Sequence, residues 1–135
     1  MEPDNTRKAH FNAAHRLYNP KWDEETNKKV FGPCSNPNFH GHNYDLEVRI
    51  IGTVNAETGF VYDMVKLKQI IKEEVEDRFD HKNLNLDTPY FKNLNPTTEH
   101  LAITIHGLLS KRIEKEYTIQ VRLYETPRIY VDYPA

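Results

Sequence analysis

The chain has 135 residues, enough for one domain with a sizeable core and too few for a second, so we expect a single domain over residues 1–135. Its formal net charge is −2 and its basic residues are scattered, which argues against a nucleic-acid-binding protein. A single cysteine, a polar start and the lack of a long apolar run predict a cytoplasmic protein with no intrachain disulfide, signal peptide or membrane span.

The first predicted element is a β-strand over residues 6–15. On an extended chain its apolar residues share one side with a histidine at the end, in the order Ala9, Phe11, Ala13 and His15. His15 therefore closes an apolar face. Taken alone, a histidine in such a place is more often a satisfied core or edge residue than a metal ligand.

A long connection over residues 16–39 follows. Loops of this length tend to be functional or disordered, and the apolar residues Trp22, Val30 and Phe31 predict that this one is packed. The connection contains Cys34, the only cysteine of the chain. A lone cysteine is commonly buried and inert. A catalytic role would require a nearby cation or metal ion that lowers the pKa of the thiol.

The second predicted strand begins with two histidines, His40 and His42, on the same side of the extended chain. The apolar residues that follow have the same parity: Tyr44, Leu46, Val48, Ile50 and Val54. Two inward-facing imidazoles are difficult to satisfy without a shared cation. With a third ligand they would form the open site of a catalytic zinc ion, and His15 is the natural third ligand if the two strands pair. The alternative is an ordinary pair of loop histidines.

Two amphipathic helices are predicted next. The first has an apolar stripe at helical spacing, formed by Met64, Leu67, Ile71, Val75 and Phe79. The second begins near Thr97, and its stripe is formed by Leu101, Ile105, Leu108, Leu109 and Ile113. Both stripes are predicted to lie in the core.

The ends of these helices carry candidate site residues. Asp80 and His81, at the end of the first helix, can orient a reacting group, although a plain helix-terminal pair is the more common arrangement. Thr97, Thr98 and Glu99 form the first turn of the second helix. This turn is either a ligand cradle or ordinary capping, and capping is the default.

A β-hairpin closes the chain, with its turn at Thr126-Pro127. Its apolar residues alternate along two strands, at Tyr117, Ile119, Val121 and Leu123 and then at Ile129, Val131 and Tyr133. Glu125 has the parity of the buried residues. Two interpretations of Glu125 are equal on this pattern: a carboxylate at the end of a buried face, which needs a partner, or a solvated residue in the turn.

The element order predicts an α+β fold, ββααββ, with a four-stranded antiparallel sheet and two helices on one of its faces. The opposite face is polar and carries Lys8, Asp45, Glu47, Arg49, Gln120 and Arg122. The outer strands would have open edges, which natural proteins pair or cover. Edge-to-edge association into a closed ring of sheets would solve this, so a homo-oligomer is predicted.

With these residues in place, the chain resembles the 6-pyruvoyl-tetrahydropterin synthase family over about residues 11–133. The resemblance rests on five segments in the order and spacing of that family: Phe11 to Leu17, Cys34 to Tyr44, Asp80 to Leu84, Thr97 to Glu99 and Tyr124 to Thr126. It implies the tunnelling fold, in which trimers form a β-barrel and two trimers stack into a homohexamer. It also implies active sites that lie between subunits.

The resemblance assigns roles position by position. His15, His40 and His42 match the family's zinc ligands, and Cys34, Asp80 and His81 match its catalytic group. Glu125 matches the carboxylate that anchors the pterin, and Thr97, Thr98 and Glu99 match the segment that lines the pterin pocket. Two residues depart from the family pattern: Phe39 stands where glycine is usual, and Phe60 stands where methionine is usual. Both are interpreted as aromatic enlargements near the pocket.

The implied activity is that of a lyase. It eliminates triphosphate from 7,8-dihydroneopterin triphosphate and forms 6-pyruvoyl-tetrahydropterin, a step of tetrahydrobiopterin biosynthesis. The alternative is the related 6-carboxy-tetrahydropterin synthase of queuosine biosynthesis, in which the cysteine usually lies closer to the histidine pair; here five residues separate Cys34 from His40. A further alternative is a non-catalytic protein that binds zinc and a pterin. The sequence does not decide which basic residues hold the triphosphate, with Lys8, Arg16 and Lys82 among the candidates.

Overall fold

The computed structural model describes residues 2–135. The elements follow one another as β1 (Asp4–His15), α1 (Glu24–Phe31), a 3-10 turn (Gly32–Ser35), β2 (His40–Ile51), α2 (Met64–Ile71), a π-helical turn (Lys72–Glu76), α3 (Asp77–Phe79), β3 (Lys82–Asn83), α4 (Thr98–Ser110), β4 (Thr118–Thr126) and β5 (Ile129–Tyr133). Within the described range, no helix is both long and apolar enough to cross a membrane.

The sheet has five strands in the order β3-β1-β2-β4-β5. The four long strands pair antiparallel, as predicted. The predicted count of four was too low, because Lys82 and Asn83 add a two-residue strand that runs parallel to β1 beside Ala13 and Ala14. A two-residue strand has no side-chain alternation that a sequence pattern could reveal.

The pairing of β1 with β2 sets the position of the histidines. In this register Ala13 lies opposite His42, and His15 lies opposite His40 as the last pair of the ladder. Because successive side chains on a strand alternate between the two faces, all three imidazoles lie on the face that packs against the helices. The predicted strand pairing is confirmed.

The core lies between this sheet face and the helices. Its largest fully buried side chains include Phe11, Tyr44, Leu46, Leu67, Phe79, Leu101 and Ile105. The rings of Phe11 and Tyr44 stack across the strands with centroids 5.1 Å apart. Each fully buried side chain of this size contributes about 1.5–3 kcal/mol to the free energy of unfolding. This packing fixes the ends of β1 and β2, where the histidines lie.

The connection 16–39 differs from its prediction, because it contains the helix α1. Asp23 caps this helix and accepts a hydrogen bond from the Thr26 amide. Of the apolar residues predicted to pack, Trp22 stacks on Phe31 with ring centroids 5.9 Å apart but is 40% exposed, and Val30 is 56% exposed. The connection is held instead by the buried Asn27, whose side-chain amide donates to three main-chain carbonyls. The hydrogen bonds of a buried polar side chain thus stabilise this connection, where packing of apolar side chains was predicted.

Candidate metal centre and active site

Three imidazoles converge at one end of the β1–β2 ladder. The ring centroids of His15, His40 and His42 are 4.9 Å, 4.9 Å and 4.8 Å apart, and each pair of rings is nearly perpendicular. The Nε2 atoms of His40 and His42 lie 3.0 Å from each other. The three rings therefore form an almost equilateral triangle whose ring nitrogens point towards a common centre.

The hydrogen bonds of His15 test whether this triangle suits a metal ion. His15 is fully buried, and its Nδ1 lies 3.0 Å from the carbonyl oxygen of Pro96. A carbonyl only accepts, so Nδ1 carries the proton and Nε2 presents a lone pair. That Nε2 is buried and has no hydrogen-bond partner. An orphaned buried nitrogen of this kind fits a metal ligand, and an Nδ1–H bond to a carbonyl is the usual way of orienting one.

Burial also favours the metal-binding, neutral form of His15 and His42. Burial lowers the pKa of His15, and the Pro96 carbonyl offsets only part of this effect. Burial likewise lowers the pKa of His42, against the opposing effect of Glu125. Neutral imidazole is the ligand form. Two overlapping sets could hold a metal ion, one of His15, Cys34 and His40 and the other of His15, His42 and Glu125.

Cys34 lies beside the triangle, with its Sγ 3.6 Å from Nε2 of His40. The thiol is partly buried, and this burial, followed by the negative charge of Glu125, raises its pKa. The chain's own groups therefore favour the neutral thiol. The lowered pKa that a catalytic role requires has to come from a cation placed at the triangle.

Glu125 approaches the triangle from β4. The strand continues to Thr126, so Glu125 lies at the end of a buried face and not in the turn. Thr98 donates a hydrogen bond of 2.5 Å to its Oε2, and its Oε1 lies 3.5 Å from Nε2 of His42. The partner that a half-buried carboxylate needs is thus supplied by the first turn of α4.

The other two residues of that turn have different surroundings. Thr97 caps α4 and accepts a hydrogen bond from the His100 amide, as expected by default. Glu99 is exposed. Of the three predicted pocket residues, the structure brings only Thr98 into contact with another predicted site residue.

Asp80 and His81 are not brought together with Cys34. Asp80 accepts from the Asn12 amide at 2.8 Å and lies 3.0 Å from Nδ1 of the exposed His81. His81 borders a cavity of about 480 Å³ whose wall includes Ala14, Gly41 and Asn43. By parity these three residues belong to the sheet face opposite His40, but Ala13 and His42, which share the parity of His40, also line the cavity. Within the described residues of one chain, no hydrogen bond or ion pair joins Cys34 to Asp80 or His81.

Phe39, which directly precedes His40, has a left-handed backbone with φ of 66°. Its amide donates to the Asn36 carbonyl at 3.0 Å, and the Asn38 amide donates to the Asn36 side chain at 2.9 Å. This turn holds Phe39 in a conformation that costs a residue with a Cβ atom about 1–2 kcal/mol. Phe60 is different: it is exposed and borders a cavity with Tyr62 that contains no predicted site residue. In one chain Phe60 is therefore not near the triangle.

Comparison with known proteins identifies the family. Residues 5–135 match the family model described as 6-pyruvoyl tetrahydropterin synthase. The chain belongs to this synthase family. Membership indicates an enzyme of the lyase type, as predicted.

Individual members of the synthase family are similar to this chain over most of their length. The 6-pyruvoyl tetrahydrobiopterin synthase of Dictyostelium discoideum is 43% identical over 95% of this chain and 93% of its own length. That of Pongo abelii is 41% identical over 95% and 88%. The solved 6-pyruvoyl tetrahydropterin synthase of Caenorhabditis elegans is 35% identical, with a TM-score of 0.92 over 100% of this chain and 96% of that one. A 6-carboxy-5,6,7,8-tetrahydropterin synthase of Rickettsia conorii is more distant, at 26% over 94% and 96%.

Two contacts of the synthase site were not predicted from the sequence. Pro96 orients His15 through its carbonyl, and the hydroxyl of the buried Tyr44 lies 3.4 Å from the same Nδ1. Burial, followed by the charges of Glu125 and Cys34, raises the pKa of Tyr44, so this hydroxyl keeps its proton. A main-chain carbonyl leaves no mark in a sequence, and Tyr44 was interpreted as an apolar core residue only.

Proposed function

We propose that this chain is a zinc-dependent 6-pyruvoyl tetrahydropterin synthase that converts 7,8-dihydroneopterin triphosphate into 6-pyruvoyl tetrahydropterin and triphosphate. One observation carries the proposal: three imidazoles, a thiol and a carboxylate converge on one hollow, and the buried Nε2 of His15 has no partner there. This donor set suits zinc, with a coordination position left for substrate.

His15, His40 and His42 would hold the zinc ion. When bound, zinc supplies a positive charge that acidifies substrate hydroxyls and the C–H bonds next to them. The same charge favours the thiolate of Cys34, whose Sγ lies 3.6 Å from a ring nitrogen of His40. Cys34 is then placed to remove a proton from a substrate carbon.

Glu125 is suited to bind the pterin ring. A pterin presents neighbouring N–H groups on its aminopyrimidine edge, and a carboxylate matches such an edge with two parallel hydrogen bonds. Thr98 fixes one oxygen of Glu125 and thereby sets the plane of the carboxylate. The pterin ring would be held at Glu125, and the side chain of the pterin would extend towards the three histidines.

The reaction is balanced without an external oxidant. The C–O bond to triphosphate breaks, the bonding electrons leave with the phosphate oxygen, and a neighbouring carbon loses a proton. Two electrons then pass from the side chain to the ring, with the accompanying protons moved between carbon and nitrogen. These transfers need acid–base groups on two sides of the substrate, which is the role we assign to Cys34 and to Asp80 with His81.

Since Asp80 and His81 make no hydrogen bond or ion pair with Cys34 in the described residues of one chain, we propose that a second subunit supplies them. The exposure of His81 leaves its ring free to face another chain. This arrangement agrees with an oligomer, the predicted homohexamer built from two trimeric barrels, in which the active site lies between subunits. A single chain would then bind zinc but lack half of its acid–base groups.

The 6-carboxy reaction on the same substrate is the second candidate. The spacing of five residues between Cys34 and His40 favours the pyruvoyl reaction. So does the higher identity to the pyruvoyl synthases, 43% for the Dictyostelium discoideum protein against 26% for the Rickettsia conorii 6-carboxy protein.

The deciding experiment is an incubation of the zinc-loaded protein with 7,8-dihydroneopterin triphosphate, followed by mass spectrometry of the products. We expect 6-pyruvoyl tetrahydropterin and one equivalent of inorganic triphosphate. Formation of the 6-carboxy product alone would overturn the pyruvoyl assignment. Tight binding of a pterin without any turnover would favour the non-catalytic zinc- and pterin-binding protein.

A further inference from the structure

A second groove begins directly beside the metal centre. It has a volume of about 690 Å³ and lies between the chain segments 16–21 and 85–95. Two of its lining residues flank the outermost pair of histidines, because Arg16 follows His15 and Phe39 precedes His40. A substrate with its reacting carbon at the triangle could therefore extend into this groove.

All the charged residues that line the groove are basic. Arg16, Lys21 and Lys92 border it, and no carboxylate does. None of these three cations forms an ion pair with any residue of the described range 2–135. Six of the other fifteen basic residues are ion-paired, namely Arg49, Lys66, Lys72, Arg78, Arg112 and Arg122. In a chain with net charge −2, three cations around one groove that contains no carboxylate indicate an anionic ligand.

Arg16 is held in place with its donors free. Its Nε donates to the Ser35 carbonyl at 2.9 Å, and its guanidinium carbon lies 4.1 Å from the centre of the Tyr18 ring. Its main chain exchanges two hydrogen bonds with the Asn85 side chain. These contacts leave the two terminal nitrogens of the guanidinium for a ligand, and Arg16 and Tyr18 border both this groove and a neighbouring one that contains Glu24. A preorganised guanidinium with free N–H groups is well suited to phosphate oxygens.

We propose that this groove binds the triphosphate of the substrate, with Arg16 at the end nearest the reacting carbon and Lys21 and Lys92 further out. This inference rests on the proposed function. It selects Arg16 from the basic residues that the sequence left open. Lys8 is exposed on the polar sheet face, and Lys82 borders a different cavity, the one with His81, whose wall includes the carboxylate of Asp87.

The positions of the three cations also give the groove a role in the elimination step. As the C–O bond breaks, its electron pair remains on the phosphate oxygen, and negative charge grows on the leaving group. Cations that are already in place stabilise this charge without reorganising. The groove is exposed, so the triphosphate can leave to solvent once the bond is broken.

The test is isothermal titration calorimetry of zinc-loaded protein with inorganic triphosphate as the probe. Lys21 and Lys92 are exposed, so the double variant K21A/K92A keeps the core intact. We expect its Kd to rise about tenfold, because each exposed ion pair contributes modestly. The matched control is K111A/K115A, which removes two exposed lysines outside the groove and leaves the Kd unchanged. R16K, which keeps the charge but removes the planar fork, should weaken binding as well.

Equal affinity of K21A/K92A and the unsubstituted protein would overturn the groove assignment, as would no binding of triphosphate by the unsubstituted protein. A second arm measures KM for 7,8-dihydroneopterin triphosphate and the inhibition constant of its phosphate-free competitor, 7,8-dihydroneopterin. K21A/K92A should raise the KM and leave the inhibition constant unchanged. Failure of the proposed function has a different signature, since triphosphate would still bind in the groove while no pyruvoyl product forms.

Discussion

Thr98, in the first turn of α4, donates a hydrogen bond of 2.5 Å to Oε2 of Glu125 near the end of β4. This bond joins a helix to a strand, and its two residues are 27 positions apart in the chain. It fixes one carboxylate oxygen and leaves the other 3.5 Å from His42, at the edge of the histidine triangle. A half-buried carboxylate that the protein holds through one lone pair of Oε2 is positioned to accept hydrogen bonds from a ligand through the remaining lone pairs of both oxygens.

Replacement of Glu125 by glutamine tests this position. The amide keeps the shape but presents an N–H group where two acceptors are needed, so we expect kcat/KM to fall about 10- to 100-fold, the equivalent of one charged hydrogen bond. Steady-state kinetics with the pterin substrate measures this change. Glu116→Gln is the control, because Glu116 is exposed and lies just before the start of β4, and it should leave kcat/KM unchanged. An unchanged KM and kcat in E125Q would remove Glu125 from the pterin site.

Removal of one imidazole tests the metal centre. His15→Ala deletes the proposed buried ligand, whose Nδ1 lies 3.0 Å from the Pro96 carbonyl, and we expect zinc affinity to fall by at least about 100-fold. Zinc content after dialysis against a chelator, measured by atomic emission, gives the stoichiometry. His10→Ala is the matched control, because His10 is on the same strand but exposed and near Asp45. Full zinc retention in H15A would contradict the proposed ligand set.

Mixing two inactive variants tests the shared active site. Cys34→Ala and Asp80→Asn should each retain zinc and lose activity by about 100-fold or more. After the two are unfolded together and refolded, about a quarter of the interfaces should combine an intact Cys34 with an intact Asp80 from the neighbouring chain. Activity should recover to that fraction of the unsubstituted protein.

The control for this mixture is a refolded sample of each variant alone, which should stay inactive. No recovery in a mixture that demonstrably contains hybrid oligomers would mean that Cys34 and Asp80 act within one chain or that Asp80 has no catalytic role. Mass spectrometry of the intact oligomers identifies the hybrids.

The left-handed backbone of Phe39 gives a prediction about stability. Phe39→Gly and Phe39→Ala both remove the ring, but only alanine keeps the Cβ atom that φ of 66° disfavours. We therefore expect F39G to exceed F39A by about 1 kcal/mol in free energy of unfolding, measured by urea denaturation. At the neighbouring Asn38, whose φ is not positive, the order of the glycine and alanine variants should reverse. Equal stabilities of F39G and F39A would show that Phe39 is unstrained.

Glu74 gives a prediction about acid stability. Burial alone would raise its pKa, but hydrogen bonds from Arg78 and Arg112 outweigh burial and hold the pKa of Glu74 below its usual value. The stabilisation by this carboxylate is therefore complete above its unfolded pKa of about 4.3 and is lost as pH falls through the lower folded pKa. Glu74→Gln should cost about 2 kcal/mol at neutral pH, because it leaves two arginines without their shared partner.

Urea denaturation of the unsubstituted protein and E74Q across the acid range measures this dependence. The difference in free energy of unfolding should shrink as the pH falls below about 4. Glu57→Gln, at an exposed turn, should follow the unsubstituted protein throughout. A difference that stays constant with pH would mean that the packing of Glu74 matters and its charge does not.

The pattern of the sequence predicted the sheet and one face of the site because side-chain alternation is a local property. The parity of His15, His40 and Glu125 was visible in their own strands, and pairing of those strands brought them together. The position of Asp80 relative to Cys34 was not visible, because each lies at the end of a helical segment whose placement against the sheet depends on tertiary packing. The contact of His15 with Pro96 joins residues 81 positions apart and leaves no sequence signal.

The helix α1 was missed for a different reason. It has a polar surface and few apolar residues, so no stripe indicates it, and its start depends on the cap at Asp23. Capping chemistry was present in the sequence as Asp23 followed by two glutamates. The prolines and the length of the segment favoured an irregular connection instead.

The last pair of the β1–β2 ladder, His15 opposite His40, links the proposed zinc site to the alignment of the strands. Sliding β1 by a single position would turn His15 to the solvent side of the sheet and break up the triangle. A zinc ion would therefore bind only chains whose strands have aligned correctly, and its binding free energy would select that alignment over its neighbours. Zinc supplied during synthesis would then stabilise the correct strand register as well as take part in the chemistry.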